Sequence, residues 1–151
     1  FMEYTMVPIT AEHLDQVEAL ERTIFSRGAW SRKQLEEICS AGCAAALAAV
    51  TPDGTVVGYA SAQAVLDEGN INNVAVCPQS RRQGVGSALL EALSLFAAER
   101  QLSFLTLEVR ASNMGARALY ARHGYQEVGR RKNYYEFPRE DAILMTLEFT
   151  T

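Results

Sequence analysis

Apolar and polar residues alternate along the first third of the chain with two different periods, which predict one strand and two helices. A short apolar run over residues 4–7 ends at Pro8 and is typical of a strand. Thr10 is a suitable N-cap for a helix that begins at Ala11. Its apolar residues share one face: Leu14, Val17, Leu20 and Ile24. Ser31 and Gln34 form a capping box, which predicts a second helix running to about Ser40.

The middle of the chain predicts three antiparallel strands. Residues 44–50 and 56–66 are two apolar runs, and Pro52, Asp53 and Gly54 between them suit a tight turn. Residues 67–69 predict a second turn, which leads into a strand over 71–76.

The last third predicts two helices, each followed by strand. An apolar stripe after Gly84 indicates a long helix ending near Arg100, and residues 104–109 form the next strand. A short helix over 114–123 is stopped by Gly124. Strands over 125–135 and 142–149 follow, separated by a loop over 136–140. The order β-αα-βββ-α-β-α-ββ predicts one α/β domain with a mixed, mostly antiparallel central sheet flanked by helices.

Composition narrows the class of protein. The chain has 151 residues, 48% of them hydrophobic, which is the size of a single domain with a real core. We expect one domain over 2–151, with Phe1 left over from cloning. A net charge of −4 without a basic run argues against nucleic-acid binding, and no apolar run is long enough to cross a membrane. Three cysteines without histidines at ligand spacing indicate neither zinc nor a disulfide framework, so we expect a cytoplasmic protein without a metal.

Residues 70–99 suggest an anion site. A strand leads through Arg81 and Arg82 to Gly84 and Gly86, and the long helix begins there. Glycines let the backbone turn sharply and approach a ligand, while a helix N-terminus offers unpaired N–H groups and positive potential. No Lys-Ser/Thr pair follows, which excludes a Walker loop, and Leu89 stands where a dinucleotide fingerprint needs its third glycine. Two ordinary loop glycines remain the alternative.

The segment Arg-x-x-Gly-x-Gly between strand and helix resembles the acyl-CoA motif of the GNAT N-acetyltransferases. The second half is similar to their ribosomal-protein-alanine branch (the RimI type). The matching segments are 73–76, 81–86, 107–113, 118–120, 124–125, 133–135 and 140–142, together with Pro78 and Arg131. The first half matches mainly in layout. Ala29 and Cys77 depart from the branch, which commonly has Pro before Trp30 and an acidic residue before Pro78.

The resemblance implies a GNAT fold in which two splayed strands hold acetyl-CoA. Backbone groups of the strand over 71–76 would face the pantetheine arm and thioester, the next loop would cradle the pyrophosphate, and Asn113 would bind the cofactor arm. The strand residues are Val74, Ala75 and Val76, and the loop residues are Arg82, Gln83, Gly84, Val85, Gly86 and Ser87. Trp30, Tyr134 and Tyr135 are the candidate substrate-side aromatics; for the two tyrosines, bordering the core is the alternative role.

Acetyl transfer to an amine needs a base for the amine and a proton for the departing thiolate. Glu108 ends an apolar strand, where a charge is costly unless it faces a cleft, so it suits the base; a solvent-facing charge is the alternative. Tyr120, on the next helix, suits the acid, with core packing as its alternative. Both match the catalytic pair of the branch.

The resemblance therefore implies an acetyl-CoA-dependent N-terminal acetyltransferase that acts by direct attack in a ternary complex. Its expected partner is the N-terminal alanine of a small-subunit ribosomal protein. One alternative is a GNAT enzyme for a small amine or a lysine side chain. A second is a non-catalytic module that binds acyl-CoA or a partner. The sequence does not indicate an oligomeric state.

Overall fold

The computed structural model describes residues 3–149, which form seven strands and four α-helices. The strands are β1 (Thr5–Pro8), β2 (Ala44–Val50), β3 (Val56–Val65), β4 (Glu68–Val76), β5 (Phe104–Arg110), β6 (Gln126–Glu136) and β7 (Arg139–Glu148). The helices are α1 (Leu14–Phe25), α2 (Arg32–Ser40), α3 (Val85–Glu99) and α4 (Met114–Arg122). This order confirms the α/β arrangement expected from the sequence.

All seven strands belong to one sheet, in the order β1-β2-β3-β4-β5-β7-β6. Every neighbouring pair is antiparallel except β4 and β5, which run parallel. The sheet is therefore mixed and mostly antiparallel, as predicted, and its single parallel contact lies at the centre.

Local sequence signals explain where the helices begin. Ser31 Oγ accepts a hydrogen bond from the Gln34 N–H at 3.2 Å, and Gln34 Oε1 accepts one from the Ser31 N–H at 2.8 Å. This confirms the capping box of α2. Before α1, the His13 ring accepts a hydrogen bond from the Thr10 N–H at 2.9 Å, and a 3-10 turn over Ala11–His13 precedes the α-helix proper.

The sheet separates two apolar cores. One lies between the sheet and helices α3 and α4, with Leu89, Leu93 and Leu105 fully buried. The other lies between the sheet and helices α1 and α2, with Val17 and Leu35 at its centre. Burying both faces of the sheet fixes the central strands, so the groups that project at their ends are held rigidly.

Two turns differ from the sequence expectation. β4 begins at Glu68 rather than Ile71, because Gly69 pairs with both Ala64 and Leu105 inside the sheet. A side chain at Gly69 would lie 2.7 Å from Leu105 Cδ2, so this glycine serves strand packing and not the predicted turn. The loop predicted over 136–140 is shorter, because Glu136 pairs with Arg139 and closes the β6–β7 hairpin.

Phe1, Met2, Thr150 and Thr151 lie outside the described residues, and so does the expectation about Phe1. Between residues 3 and 149, no helix has the length and hydropathy needed to span a membrane. The same stretch contains no group of three or more His, Cys, Asp or Glu side chains placed to hold a metal ion.

Candidate active site

The central feature of the site is a cleft between β4 and β5. The two strands pair only at their first residues, where Glu68, Gly69 and Asn70 face Phe104, Leu105 and Thr106. Beyond Asn70 and Thr106 no further pairing joins them in the described chain, although β5 stays paired with β7 to Arg110. One edge of β4 is thus left without a strand partner and is open to a ligand.

A β-bulge at Asn72, where the cleft begins, changes which side chains of β4 lie on each face of the sheet. Ser61 of β3 pairs with Asn73, whereas the next residue, Ala62, pairs with Ile71. The extra residue reverses the alternation, a common device near active sites. The candidate strand residues follow the new register: Val74 and Val76 pack toward α3, and Ala75 packs toward α1 and α2.

The turn before α3 has the backbone geometry of an anion site. Arg82 and Gly84 both adopt positive φ, at 64° and 80°, and Tyr4 donates a hydrogen bond to the Gly84 carbonyl at 3.2 Å. The Ala88 N–H is the first to bond back into the helix, to Gly84 O at 3.0 Å. The preceding amides of α3 are thus free, and Arg81 and Arg82 form no ion pair within residues 3–149.

The two glycines of this turn have different surroundings. A side chain at Gly84 would meet only the Tyr4 hydroxyl, at 3.9 Å, so its positive φ is what requires glycine there. A side chain at Gly86 would lie 2.9 Å from Leu119 Cδ2, on α4. Gly86 therefore permits α3 and α4 to pack closely, a role that the sequence did not indicate.

Two other candidate cofactor residues have protein partners. Asn113 caps α4, with its Oδ1 accepting a hydrogen bond from the Ala116 N–H at 3.2 Å, so its amide nitrogen is the group left to face a ligand. Ser87 Oγ lies 2.9 Å from His123 Nε2. This contact joins the first turn of α3 to the end of α4.

Glu108 lies on β5 at the level where the cleft has opened. Its side chain is 20% exposed, and its Oε2 lies 3.0 Å from Arg131 Nε on β6. The two residues are brought together because β7 pairs with both of their strands. Glu108 is therefore a half-buried carboxylate facing a cation across the sheet rather than a freely solvated charge.

Tyr120 lies on α4 and is 8% exposed. Burial raises the pKa of its phenol to about 12, so the hydroxyl stays protonated at neutral pH. Its ring lies 5.9 Å from that of Tyr125, whose hydroxyl is buried without a partner among the described residues. A neutral, buried phenol can donate a proton but does not supply a negative charge.

Aromatic residues of the β6–β7 hairpin stand beside Glu108. The Tyr134 and Tyr135 rings meet edge to face at 5.0 Å, with Tyr134 exposed and Tyr135 half-buried. The Arg131 guanidinium lies 5.9 Å from the Tyr134 ring centre, and that of Arg110 lies 4.3 Å from the Tyr135 ring centre. Burial, together with the nearby Tyr134 and Glu108, raises the pKa of Tyr135.

The third aromatic candidate, Trp30, lies on the opposite loop. It is half-buried against the α1–α2 core at the end of the segment joining those helices. The guanidinium of Arg27, in that segment, lies 5.1 Å from the centre of the Phe137 ring in the β6–β7 turn. The α1–α2 segment and the β6–β7 turn thus touch.

These features suit an acyl-CoA and an amine. The free amides at the start of α3 fit a pyrophosphate, and the open edge of β4 fits an extended, amide-containing arm. A carboxylate and a neutral phenol supply groups that accept and donate protons.

The sequence model of the Acetyltransferase (GNAT) family matches residues 14–125, about three quarters of the chain. The chain belongs to the GNAT acetyltransferase family. Like other GNAT members, it is an N-acetyltransferase that uses acetyl-CoA.

Individual relatives agree with this assignment. An Escherichia coli (strain K12) protein named [ribosomal protein bS18]-alanine N-acetyltransferase is 47% identical over 100 residues, which cover 65% of this chain and 68% of that protein. The crystal structure of the ribosomal-protein-S18-alanine N-acetyltransferase from Escherichia coli superposes with a TM-score of 0.88 at 35% identity, covering 99% of this chain and 96% of that one. Arabidopsis thaliana NAA60 with acetyl-CoA has the same fold, at 21% identity and a TM-score of 0.89, with 97% and 99% of the two chains covered.

One residue that the sequence reasoning missed is Glu21. It is 1% exposed, and its carboxylate accepts a hydrogen bond from Asn73, next to Val74 on β4. A signal was present, since Glu21 stands four residues after Val17 and one after Leu20, on the apolar face of α1. A charged residue on a buried stripe calls for a specific partner.

Proposed function

We propose that this GNAT enzyme acetylates the N-terminal α-amine of an alanine-starting protein, ribosomal protein bS18. The observation that carries the proposal is the match to the ribosomal-protein-S18-alanine N-acetyltransferase of Escherichia coli. That enzyme is 35% identical to this chain across nearly the whole fold. The proposal takes residues 2–151 as one domain and sets the reaction in the cytoplasm, without direct contact to nucleic acid or membrane.

The cleft geometry supports a peptide end as the acceptor. The α1–α2 segment and the β6–β7 turn meet through Arg27 and Phe137, and Tyr134 and Tyr135 line the hairpin beside Glu108. A protein N-terminus is a narrow, extended group that can enter beside this contact. We assign Trp30, Tyr134 and Tyr135 to the walls of this entrance.

Acetyl-CoA supplies the activated acetyl group as a thioester. We assign its binding to the turn and strand residues predicted from the sequence. Arg82, Gln83, Gly84, Val85, Gly86 and Ser87 would hold the pyrophosphate, and Val74, Ala75, Val76 and Asn113 would hold the arm. The backbone of the open β4 edge would stabilise the negative charge that develops on the thioester oxygen.

Glu108 and Tyr120 would manage the protons of the transfer. Glu108 takes a proton from the ammonium group, directly or through a water, and the neutral amine then attacks. The new N–C bond forms, the C–S bond breaks, and the Tyr120 hydroxyl gives its proton to the departing sulfur. The second proton that the nitrogen loses leaves through solvent and restores the Tyr120 hydroxyl. Because burial raises the pKa of Tyr120 to about 12, this proton is present throughout the neutral range.

Proton chemistry also favours an α-amine over lysine. A peptide N-terminus has a pKa of about 7.7–8.0 and a lysine side chain one of about 10.4. Roughly a tenth of the former is neutral at pH 7, against far less than a hundredth of the latter. Because an α-amine binds its proton less tightly than a lysine side chain does, a single carboxylate removes that proton more easily.

The deciding experiment compares two peptides of the same sequence that begins with alanine. One has a free N-terminus and no lysine; the other is blocked at the N-terminus and carries one internal lysine. We expect a kcat/KM at least about a hundredfold higher for the free peptide, in line with the difference in amine pKa. Equal values, or a faster blocked peptide, would transfer the assignment to lysine acetylation.

Two further outcomes address the remaining alternatives. Brisk acetylation of a polyamine, with neither peptide reacting, would indicate a small-amine enzyme. Tight acetyl-CoA binding without CoA release on any of these acceptors would indicate a binding module. Mass spectrometry of bS18 from cells lacking the gene would then test the native substrate.

A further inference from the structure

Glu21 is a buried carboxylate that the proposed chemistry does not use. Its side chain lies between α1 and the sheet, and within residues 3–149 no Lys, Arg or His forms an ion pair with it. Fully buried glutamates are rare because the charged form loses its hydration. Its position therefore calls for a role that offsets this cost.

One oxygen of Glu21 joins two parts of the site. Its Oε1 accepts a hydrogen bond from Asn73 Nδ2 at 2.5 Å and another from the Trp30 backbone N–H at 3.3 Å. Asn73 directly follows the β4 bulge and precedes Val74. Trp30 lies in the segment between α1 and α2.

The β4 side of this link is held in turn by β3. Asn73 Nδ2 lies 2.8 Å from the Tyr59 hydroxyl, and both residues are buried. The second carboxylate oxygen, Oε2, is buried without a hydrogen-bond partner in the described part of the chain. The arrangement thus uses a single acceptor atom for two donors that come from different elements.

Burial raises the pKa of Glu21 to about 6, against the opposing effects of the Tyr59 hydroxyl and the Trp30 N–H. At neutral pH the carboxylate is therefore mostly ionised. An ionised acceptor makes stronger hydrogen bonds than a neutral one, which strengthens both links.

We infer that Glu21 is a positioning residue, which fixes the α1–α2 segment against β4 and so aligns the acceptor entrance with the site of acetyl transfer. The inference rests on the proposed function, in which Trp30 borders the acceptor and Val74 faces the thioester. Loss of the link would loosen the acceptor side of the cleft. The turn before α3, which holds the pyrophosphate, would be unaffected.

The test compares Glu21→Leu with Glu21→Gln. Leucine fills the space but removes the acceptor of the Trp30 N–H and one of the two acceptors of Asn73 Nδ2, which keeps its contact with the Tyr59 hydroxyl. The glutamine oxygen can accept both lost bonds. We expect Glu21→Leu to raise the peptide KM about tenfold or more, as the loss of two hydrogen bonds implies. Its acetyl-CoA Kd, measured by calorimetry, should stay within about twofold of wild type, and Glu21→Gln should restore most of the peptide KM.

Asn73→Ala breaks the same link from the strand side and carries the test if Glu21→Leu does not fold. It should raise the peptide KM in the same way, and the double variant should be no worse than Glu21→Leu alone, because the two residues act through one contact. Glu91→Gln, on the exposed face of α3, is the matched control.

The wild-type enzyme separates failure of this inference from failure of the proposed function. If wild type acetylates the alanine peptide but Glu21→Leu and Asn73→Ala keep its KM, the positioning role is wrong and the function stands. A variant that only loses thermal stability, with unchanged KM in its folded fraction, also shows that the positioning role is wrong. If wild type uses another amine, the proposed function fails, and the KM for that amine then decides the role of Glu21.

Discussion

Arg131 Nε lies 3.0 Å from Glu108 Oε2, so the proposed base is held by a cation from a strand that is not its neighbour. β7 separates the two strands, and its Ala142 pairs with Arg131 on one side and Arg110 on the other. The ion pair engages one carboxylate oxygen. The other oxygen is left to accept the proton of an amine or a bridging water.

Glu108→Gln is expected to lower kcat about a hundredfold or more, because the amide cannot take the proton. Acetyl-CoA affinity should stay within about twofold, since the loss occurs in the chemical step. Steady-state kinetics and calorimetry check the two quantities, with Arg131→Gln as the companion variant. Arg131→Gln keeps the carboxylate and should cost less than about tenfold. Full activity of Glu108→Gln would assign Glu108 to the ion pair alone.

Tyr120→Phe tests the proposed acid. Removing the hydroxyl should lower kcat about a hundredfold and leave acetyl-CoA affinity nearly unchanged, because the proton matters only as the thiolate leaves. Tyr125→Phe is a closely matched control, since the two rings are 5.9 Å apart and the Tyr125 hydroxyl has no partner within the described residues. It should keep activity within about twofold and not lose stability.

Single-turnover measurements ensure that chemistry limits the rate in this comparison. If Tyr120→Phe then reacts as fast as wild type, Tyr120 has only the packing role that its burial also allows. Equal losses in both tyrosine variants would indicate disturbed packing between their rings rather than a missing proton.

The glycines of the α3 turn can be separated by substitution. Gly84→Ala adds a methyl group that meets only the Tyr4 hydroxyl, at 3.9 Å, but it strains a backbone at φ 80°, so we expect weaker acetyl-CoA binding in a folded protein. Gly86→Ala places its Cβ 2.9 Å from Leu119 Cδ2 and should lower thermal stability. Adding Leu119→Ala should recover part of that stability. If Gly84→Ala binds acetyl-CoA as tightly as wild type, the pyrophosphate assignment is wrong.

The sequence predicts the order of the elements because each has a strong local signal. The capping box at Ser31, the turn around Pro52 and Gly54, and the stop at Gly124 all depend on neighbouring residues. The structure confirms the first by its hydrogen bonds and the last by a φ of 92°. The catalytic and cofactor assignments remain predictions, since they rest on chemistry that only ligands and variants can test.

Contacts between distant residues explain what the sequence did not predict. Gly69 looks like a turn residue until Leu105 packs against it, and the packing of Leu119 against Gly86 adds a structural role to the proposed contact with the pyrophosphate. The link from Glu21 to Asn73 spans 52 positions, and no local pattern encodes it. The ion pair of Glu108 with Arg131 depends likewise on the strand order β5-β7-β6.

Glu21→Gln is expected to stabilise the protein at neutral pH but not in acid. Burial raises the pKa of Glu21 from 4.5 to about 6, so the folded state binds this proton more tightly than the unfolded chain. Well below pH 4.5 the group is protonated in both states and its burial does not affect stability. As the pH rises past 6, the ionised carboxylate lowers the free energy of unfolding by the full penalty of about 2 kcal/mol. Glutamine removes that penalty.

Urea unfolding at pH 4.5 and pH 7.5 tests whether the stabilisation by Glu21→Gln increases with pH. The free energy of unfolding of Glu21→Gln, minus that of wild type, should increase by about 2 kcal/mol from the lower to the higher pH. The same difference for Glu91→Gln, an exposed glutamate, is subtracted as the effect of removing one surface carboxylate. If the free energy of unfolding of Glu21→Gln, relative to wild type, instead falls as the pH rises, the buried, ionised carboxylate stabilises the protein. The hydrogen bonds from Asn73 and Trp30 would then more than offset its lost hydration.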